Sequence, residues 1–76
     1  MKLPVLKAKE LIKILEYKGY KELRQSGSHV QFKNEKGTIV TVPMHGNRPL
    51  GRGLLRKIMR DMELSRHELE GLLKKS

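Results

Sequence analysis

The sequence contains no cysteine and no tryptophan, and its 76 residues include one phenylalanine and two tyrosines. Without cysteine, the chain forms neither disulfide bonds nor thiolate zinc sites, and it suits a reducing compartment such as the cytoplasm. Its three histidines stand at no recognised ligand spacing, so we expect no metal and no cofactor. The shortage of aromatic side chains disfavours an interfacial membrane helix and a sheet that stacks bases.

Long apolar runs are also missing. No stretch approaches the roughly 20 apolar residues that a membrane-spanning helix needs. The first residues are interrupted by Pro4 and followed by Lys7 and Lys9, so they lack the apolar core of a secretion signal. With only 76 residues, the chain is expected to form one soluble domain over residues 1–76, without a membrane partner.

Negative charge is scarce. Seventeen Lys and Arg residues against eight Asp and Glu residues give a net charge of +9. Such an excess repels itself in the folded state, and a polyanionic partner would relieve the repulsion. Nucleic acid is the first candidate, since neutralising its phosphates provides sequence-independent affinity. The alternative is that the charge only aids solubility.

The first half of the chain predicts a helix followed by three strands. An apolar stripe predicts the helix over residues 7–18, with Gly19 as its end, and the stripe consists of Ala8, Leu11, Ile12 and Leu15. Strands are predicted over residues 21–26, 29–33 and 38–42, the last ending at Pro43. Residues 26–28 form the first turn, and Gly37 takes a left-handed position in the second.

The second half predicts a loop and two helices. The loop covers residues 44–49, and an apolar stripe made of Leu54, Leu55, Ile58 and Met62 predicts the next helix. Ser65 and Glu68 have the spacing of a capping box, which predicts a short last helix with Leu69, Leu72 and Leu73 on its buried side. The fold class is therefore α+β, with helices on one face of a three-stranded antiparallel sheet.

Alternation in the middle strand points Val30 and Phe32 into the core and leaves His29, Gln31 and Lys33 on the opposite face. An imidazole both accepts and donates protons near neutral pH, as RNA cleavage requires, so His29 is the candidate catalytic residue. The alternative is an exposed strand histidine without a role. The candidate phosphate and substrate contacts are Ser28, Gln31, Lys33, His45, Arg48, Arg52 and Arg56, for which a solvated surface is the alternative.

Several short motifs occur in a characteristic order: Gly27-Ser28-His29 before Val30-Gln31-Phe32, then Val42-Pro43-Met44-His45-Gly46, the stretch from Gly53 to Ile58, and Leu64-Ser65. In this combination the chain resembles the HicA family of toxin mRNA interferases. The resemblance implies a fold like the double-stranded-RNA-binding domain, α-β-β-β-α, here with a short extra C-terminal helix. It also implies His29 as the catalytic histidine, mRNA cleavage without a metal, and inhibition by a HicB-like antitoxin.

Two other functions remain open from the sequence. A non-catalytic RNA-binding or adaptor domain would keep the fold and the charge, and its RNA binding would not depend on His29. A DNA-binding regulator is a weaker alternative, because no helix-turn-helix spacing is found.

Overall fold

The computed structural model describes residues 4–44, 46 and 48–75. Its elements are α1 (Ala8–Tyr17), β1 (Lys21–Ser26), β2 (His29–Lys33), β3 (Ile39–Pro43), α2 (Arg52–Met62) and α3 (Arg66–Lys75). The three strands form one antiparallel sheet in the order β1-β2-β3. The predicted α+β class, order of elements and sheet are thereby confirmed.

Both ends of α1 are fixed by local hydrogen bonds. At its start, the backbone N–H of Lys7 donates to the Glu10 carboxylate at 2.9 Å. At its end, Gly19 has a φ of 91°, and Tyr20 N–H donates back to the Leu15 carbonyl at 2.9 Å. This is the Schellman arrangement, in which glycine at the left-handed position lets the chain turn away. The chain therefore enters β1 within four residues of the last helical turn.

A two-residue turn joins β1 to β2. Ser26 and His29 are cross-strand partners, so Gly27 and Ser28 form the turn between them. Gly27 has a φ of 60° and stands at the first turn position, where a type II′ hairpin requires glycine. The turn thus sets the register that places His29 at the start of β2.

The sheet has one covered and one open face. Val30 pairs with Val42 and Phe32 with Val40, and these four side chains are buried under the helices. Cross-strand partners share a face, so the alternate pairs lie on the other side of the sheet. These pairs are His29 with Pro43, Gln31 with Thr41, and Lys33 with Ile39. Together with their partners in β1, they form the surface that we call the open face.

The strand β1 lies at the sheet edge and is exposed along its whole length. Its pairing with β2 is interrupted between Glu22 and Arg24, so Leu23 is the extra residue of a β-bulge. On either side of the bulge, Lys21 lies opposite Lys33, and Arg24 lies opposite Gln31. The bulge therefore places Lys21 on the open face and Glu22 on the other, which leaves no carboxylate on the strand residues of the open face.

The helices α1 and α2 pack against β3, and α3 closes one end of the core with the fully buried Leu69. At the start of α3, the Glu68 N–H donates to the Ser65 hydroxyl at 3.1 Å, as predicted. The other half of the predicted capping box, in which the Glu68 carboxylate accepts from the Ser65 N–H, is wrong. The carboxylate accepts instead from Lys18 Nζ at 2.7 Å. An ammonium donor makes a stronger bond to a carboxylate than a backbone N–H does.

Candidate functional site

His29 is held by the hairpin turn and by both neighbouring strands. It is the first residue of β2, it is exposed, and it lies between Ser26 of β1 and Pro43 of β3 on the open face. An exposed imidazole between two side chains that carry no charge is accessible to a ligand that lies across the sheet. The sequence-based placement of His29 on this face is confirmed.

The rest of the open face continues this pattern in two further rows of side chains. The half-buried Gln31 lies between Arg24 and Thr41, and the exposed Lys33 lies between Lys21 and Ile39. Rows along a strand are about 6.8 Å apart, twice the rise per residue. Cationic side chains therefore extend from the row next to His29 to the far end of the sheet.

Ser28 connects the hairpin to the segment that follows β3. Its carbonyl accepts a hydrogen bond from the Met44 N–H, and its own side chain is exposed in the turn. This contact holds the start of the loop beside His29. The predicted substrate contact His45 follows directly, but it lies outside the described residues.

The end of the same loop lies against the start of α1. Leu50 N–H donates to the Leu6 carbonyl at 2.7 Å, and Lys7 and Pro49 form an isolated antiparallel bridge. The helix α2 begins at once after this contact, with Gly51 as its N-cap and without a side-chain cap. The helices α1 and α2 therefore begin side by side, and the loop connects their starts to the end of the sheet that carries His29.

Three exposed arginines accompany this region. Arg48 precedes the bridge, Arg52 is the first residue of α2, and Arg56 follows one turn later. The first turn of α2 contains no acidic residue. Cations at a helix start are unfavourable because the backbone N–H groups there already carry partial positive charge. A bound anion would remove this repulsion, so the region is suited to contact phosphate.

The acidic residues gather at the opposite end of the molecule. Tyr20, Thr38, Asp61 and Glu63 line one depression there together with Lys18 and Lys36, which places the end of α2 beside the start of β3. Among the described residues, three ion pairs lie in this part of the molecule. Lys18 bonds to Glu68, Lys57 Nζ lies 3.7 Å from Asp61 Oδ2, and Arg66 Nε lies 3.9 Å from Glu70 Oε1. At the His29 end, Glu10 is the acidic residue nearest the helix starts, and it already accepts from Lys7. The arginines at the start of α2 and Arg24 beside His29 thus lie at the end of the molecule where carboxylates are scarce.

Tyr20 is the other titratable group with a distinct environment. The residue is 5% exposed, and burial raises its pKa, while a hydrogen bond with Thr38 acts in the opposite direction. A phenol with a raised pKa stays protonated at neutral pH. Thr38 precedes β3 at the end of the sheet that is remote from His29, so its partner Tyr20 is also remote from the candidate site. Tyr20 is therefore a core residue.

Within residues 4–44, 46 and 48–75, no three His, Asp or Glu side chains are grouped so that they could hold a metal ion. Over the same residues, no helix combines the length and the apolar character needed to cross a membrane.

The fold and the site define a class: a small basic α+β protein with an open sheet face that carries a histidine among cations. Residues 8–64, which are 57 of the 76 residues, match the family model described as the HicA toxin of bacterial toxin-antitoxin systems. The chain belongs to the HicA toxin family, which confirms the resemblance found in the sequence. No curated protein matches the chain.

Sequence reasoning missed two cations of the open face, Lys21 and Arg24. Arg24 follows from counting back from the two-residue turn, since Ser26 opposite His29 puts Arg24 opposite Gln31. Lys21 does not follow from the same count, because strict alternation would place Glu22 on the open face instead. The bulge at Leu23 reverses that assignment.

Proposed function

We propose that this protein is the toxin of a toxin–antitoxin pair and acts as a metal-independent endoribonuclease on mRNA. Membership of the HicA toxin family supports the toxin role. The observation that carries the enzymatic part is the position of His29, exposed at the end of an open sheet face that has cations and no carboxylate on its strands. The functional unit is a single domain over residues 1–76 that works in the cytoplasm.

The reaction needs one proton removed and one supplied. The neutral His29 ring takes the proton of a ribose 2′-hydroxyl, and the 2′-oxygen forms a bond to the adjacent phosphorus. The bond from phosphorus to the 5′-oxygen of the next nucleotide breaks, and that oxygen receives the proton that the His29 ring has taken up. The products are a 2′,3′-cyclic phosphate and a 5′-hydroxyl, so the bond exchange consumes no water and balances without a metal.

Substrate binding in this proposal uses two surfaces that meet at His29. On the sheet, Gln31 and Lys33 contact the RNA, and Ser28 contacts it from the turn. Beyond the sheet, Arg48, Arg52 and Arg56 bind phosphates where the two helices begin, and His45 in the connecting loop contacts the substrate. Backbone and shape recognition suits a surface that lacks stacking aromatics.

A HicB-like antitoxin is the proposed protein partner. The open face is positively charged on every row except the one that holds His29, so a partner with an acidic surface would match it. Covering this face would also deny RNA access to His29.

A cleavage assay with a matched histidine control tests the enzymatic proposal. Purified wild type, His29→Ala and His67→Ala are incubated with RNA in EDTA. His67 is exposed on α3, at the end of the molecule where α3 contacts Lys18, and serves as the control. Wild type and His67→Ala should cut the RNA at equal rates, and His29→Ala should leave it intact. Equal rates for wild type and His29→Ala would refute the proposal.

A non-catalytic RNA-binding domain is the second candidate. The observation in its favour is that the strand residues of the open face supply no carboxylate and no tyrosine beside His29. Such a domain would bind RNA with the usual salt dependence and would cut no RNA. The substitution His29→Ala would leave its RNA affinity unchanged. DNA of the same sequence distinguishes the two further, because it lacks the 2′-hydroxyl that cleavage consumes.

A further inference from the structure

Arg24 lies next to His29 on the open face, although it belongs to a different strand. Ser26 is the direct cross-strand partner of His29, and Arg24 is two residues before Ser26 on β1. Arg24 is therefore the diagonal neighbour of His29, a relation in which Cα atoms are about 7–8 Å apart and long side chains still meet. An arginine side chain in this position can reach a group that His29 contacts.

The guanidinium of Arg24 is not neutralised by any residue that the structure describes. Among the residues that the structure describes, Arg24 makes neither an ion pair nor a side-chain hydrogen bond, and it is exposed. The nearest acidic residue in its own strand is Glu22, and the bulge at Leu23 turns Glu22 to the other face of the sheet. The fold thus keeps a cation beside the histidine and moves away the carboxylate that would neutralise it.

The chemistry of a guanidinium fits a phosphate that is under attack. Its planar set of N–H donors matches two phosphate oxygens at once. During attack by the 2′-oxygen, negative charge on those oxygens increases, so a positioned cation stabilises the transition state more than the bound substrate. A lysine in the same place would supply the charge without the paired donors.

We infer that Arg24 binds the phosphate that His29 acts on and stabilises the charge that this phosphate gains in the transition state. The inference rests on the proposed ribonuclease function, and it adds a second catalytic residue that lies outside β2. It also gives the β-bulge at Leu23 a role, since the bulge keeps Glu22 away from the reacting phosphate.

Steady-state kinetics of RNA cleavage test the inference with a charge-matched control. Arg24→Ala and Arg24→Lys are compared with Arg60→Ala, which removes an exposed arginine from the last turn of α2, remote from the open face. For Arg24→Ala we expect kcat to fall about 100-fold, as for loss of one oxyanion donor, with KM changed by no more than a few fold. Arg24→Lys should recover part of this loss, and Arg60→Ala should cut like wild type.

A binding measurement separates this inference from the proposed function. Affinity for fully 2′-O-methylated RNA, which cannot be cut, is measured against salt concentration for the same variants. The slope of log K against log salt is negative, and loss of one phosphate contact reduces its magnitude by about 0.7 for a single strand. We expect this decrease for Arg24→Ala and no decrease for Arg60→Ala, with unchanged thermal unfolding in both.

The outcomes are distinct. If Arg24→Ala matches Arg60→Ala in kcat and in salt slope, the inference is overturned, while His29-dependent cleavage keeps the proposed function intact. A lower slope with normal kcat also overturns it, because Arg24 would then bind a phosphate other than the one cleaved. If the wild type cuts no RNA, the proposed function fails, the assignment of Arg24 to a cleaved phosphate fails with it, and the slope alone reports whether Arg24 contacts phosphate.

Discussion

Replacing Gly27 with alanine should destabilise the protein and displace its candidate catalytic histidine. Gly27 is the first residue of the turn before His29 and has a φ of 60°, a value that residues with a side chain rarely adopt. A Cβ atom built at this position meets no atom within 4 Å, so the cost lies in the backbone and not in a clash. Strained φ values of this kind cost about 1–3 kcal/mol each.

Gly71 provides the opposite case. It lies inside α3, its φ falls outside the left-handed range, and a Cβ added there also meets no atom within 4 Å. Alanine in a helix is favoured over glycine by about 0.5–1 kcal/mol, so Gly71→Ala should stabilise the protein. The two substitutions add the same methyl group in open space and should change stability in opposite directions.

Urea and thermal unfolding, followed by circular dichroism, measure both changes. For a domain of this size, 1 kcal/mol corresponds to a change in Tm of about 4–8 °C, so the two variants should be clearly separated. Gly27→Ala should also cut RNA more slowly than its folded fraction accounts for, since the turn sets the register of His29. A Gly27→Ala variant as stable as wild type would refute the argument from φ, and a destabilised Gly71→Ala would refute the argument from helix propensity.

Two further predictions concern α3 and the buried tyrosine. Leu69→Ala should cost about 2–5 kcal/mol in urea unfolding because Leu69 is fully buried, whereas an α3 that lies outside the core would lose almost nothing. Burial raises the pKa of Tyr20 above 10.0, so the folded state holds its proton longer than the unfolded state. Stability should therefore fall as pH rises through about 10, and Tyr20→Phe should remove part of that fall while Tyr17→Phe, at an exposed position, should not. An identical alkaline profile for Tyr20→Phe and wild type would contradict the pKa argument.

The sequence predicted the middle strand and its turn closely because both follow from local rules. Alternation of Val30 and Phe32 with polar neighbours sets the faces of β2, and a glycine between two serines marks the turn. The observed limits of β2 and the exposure of His29 agree with this prediction. These features require only residues that are adjacent along the chain.

The features that were missed depend on contacts between distant parts of the chain. Glu68 has the spacing of a reciprocal cap, yet it bonds to Lys18, which lies 50 residues away in sequence. The hydrogen bond between Leu50 and Leu6 brings the starts of α1 and α2 together, and no local sequence pattern predicts it. The bulge at Leu23 likewise appears only when β1 is aligned with β2, and it decides which cations share the open face.

The helix α3 extends the chain beyond the matched family region, which ends at residue 64. It is nevertheless part of the packed structure, because Leu69 is fully buried and Lys18 joins Glu68 at 2.7 Å. Both groups of that ion pair are partly exposed, so the pair contributes about 0.2–1 kcal/mol, and the burial of Leu69 contributes more.

The central claim is that His29 performs the proton transfer that cuts RNA. Its most direct measurement is the end chemistry and rate of RNA cleavage in EDTA for wild type, His29→Ala and the control His67→Ala. Our account predicts fragments with 2′,3′-cyclic phosphate and 5′-hydroxyl ends from wild type and His67→Ala, and none from His29→Ala. Fragments formed at equal rates by His29→Ala and wild type, or cleavage that stops when EDTA is added, would contradict it.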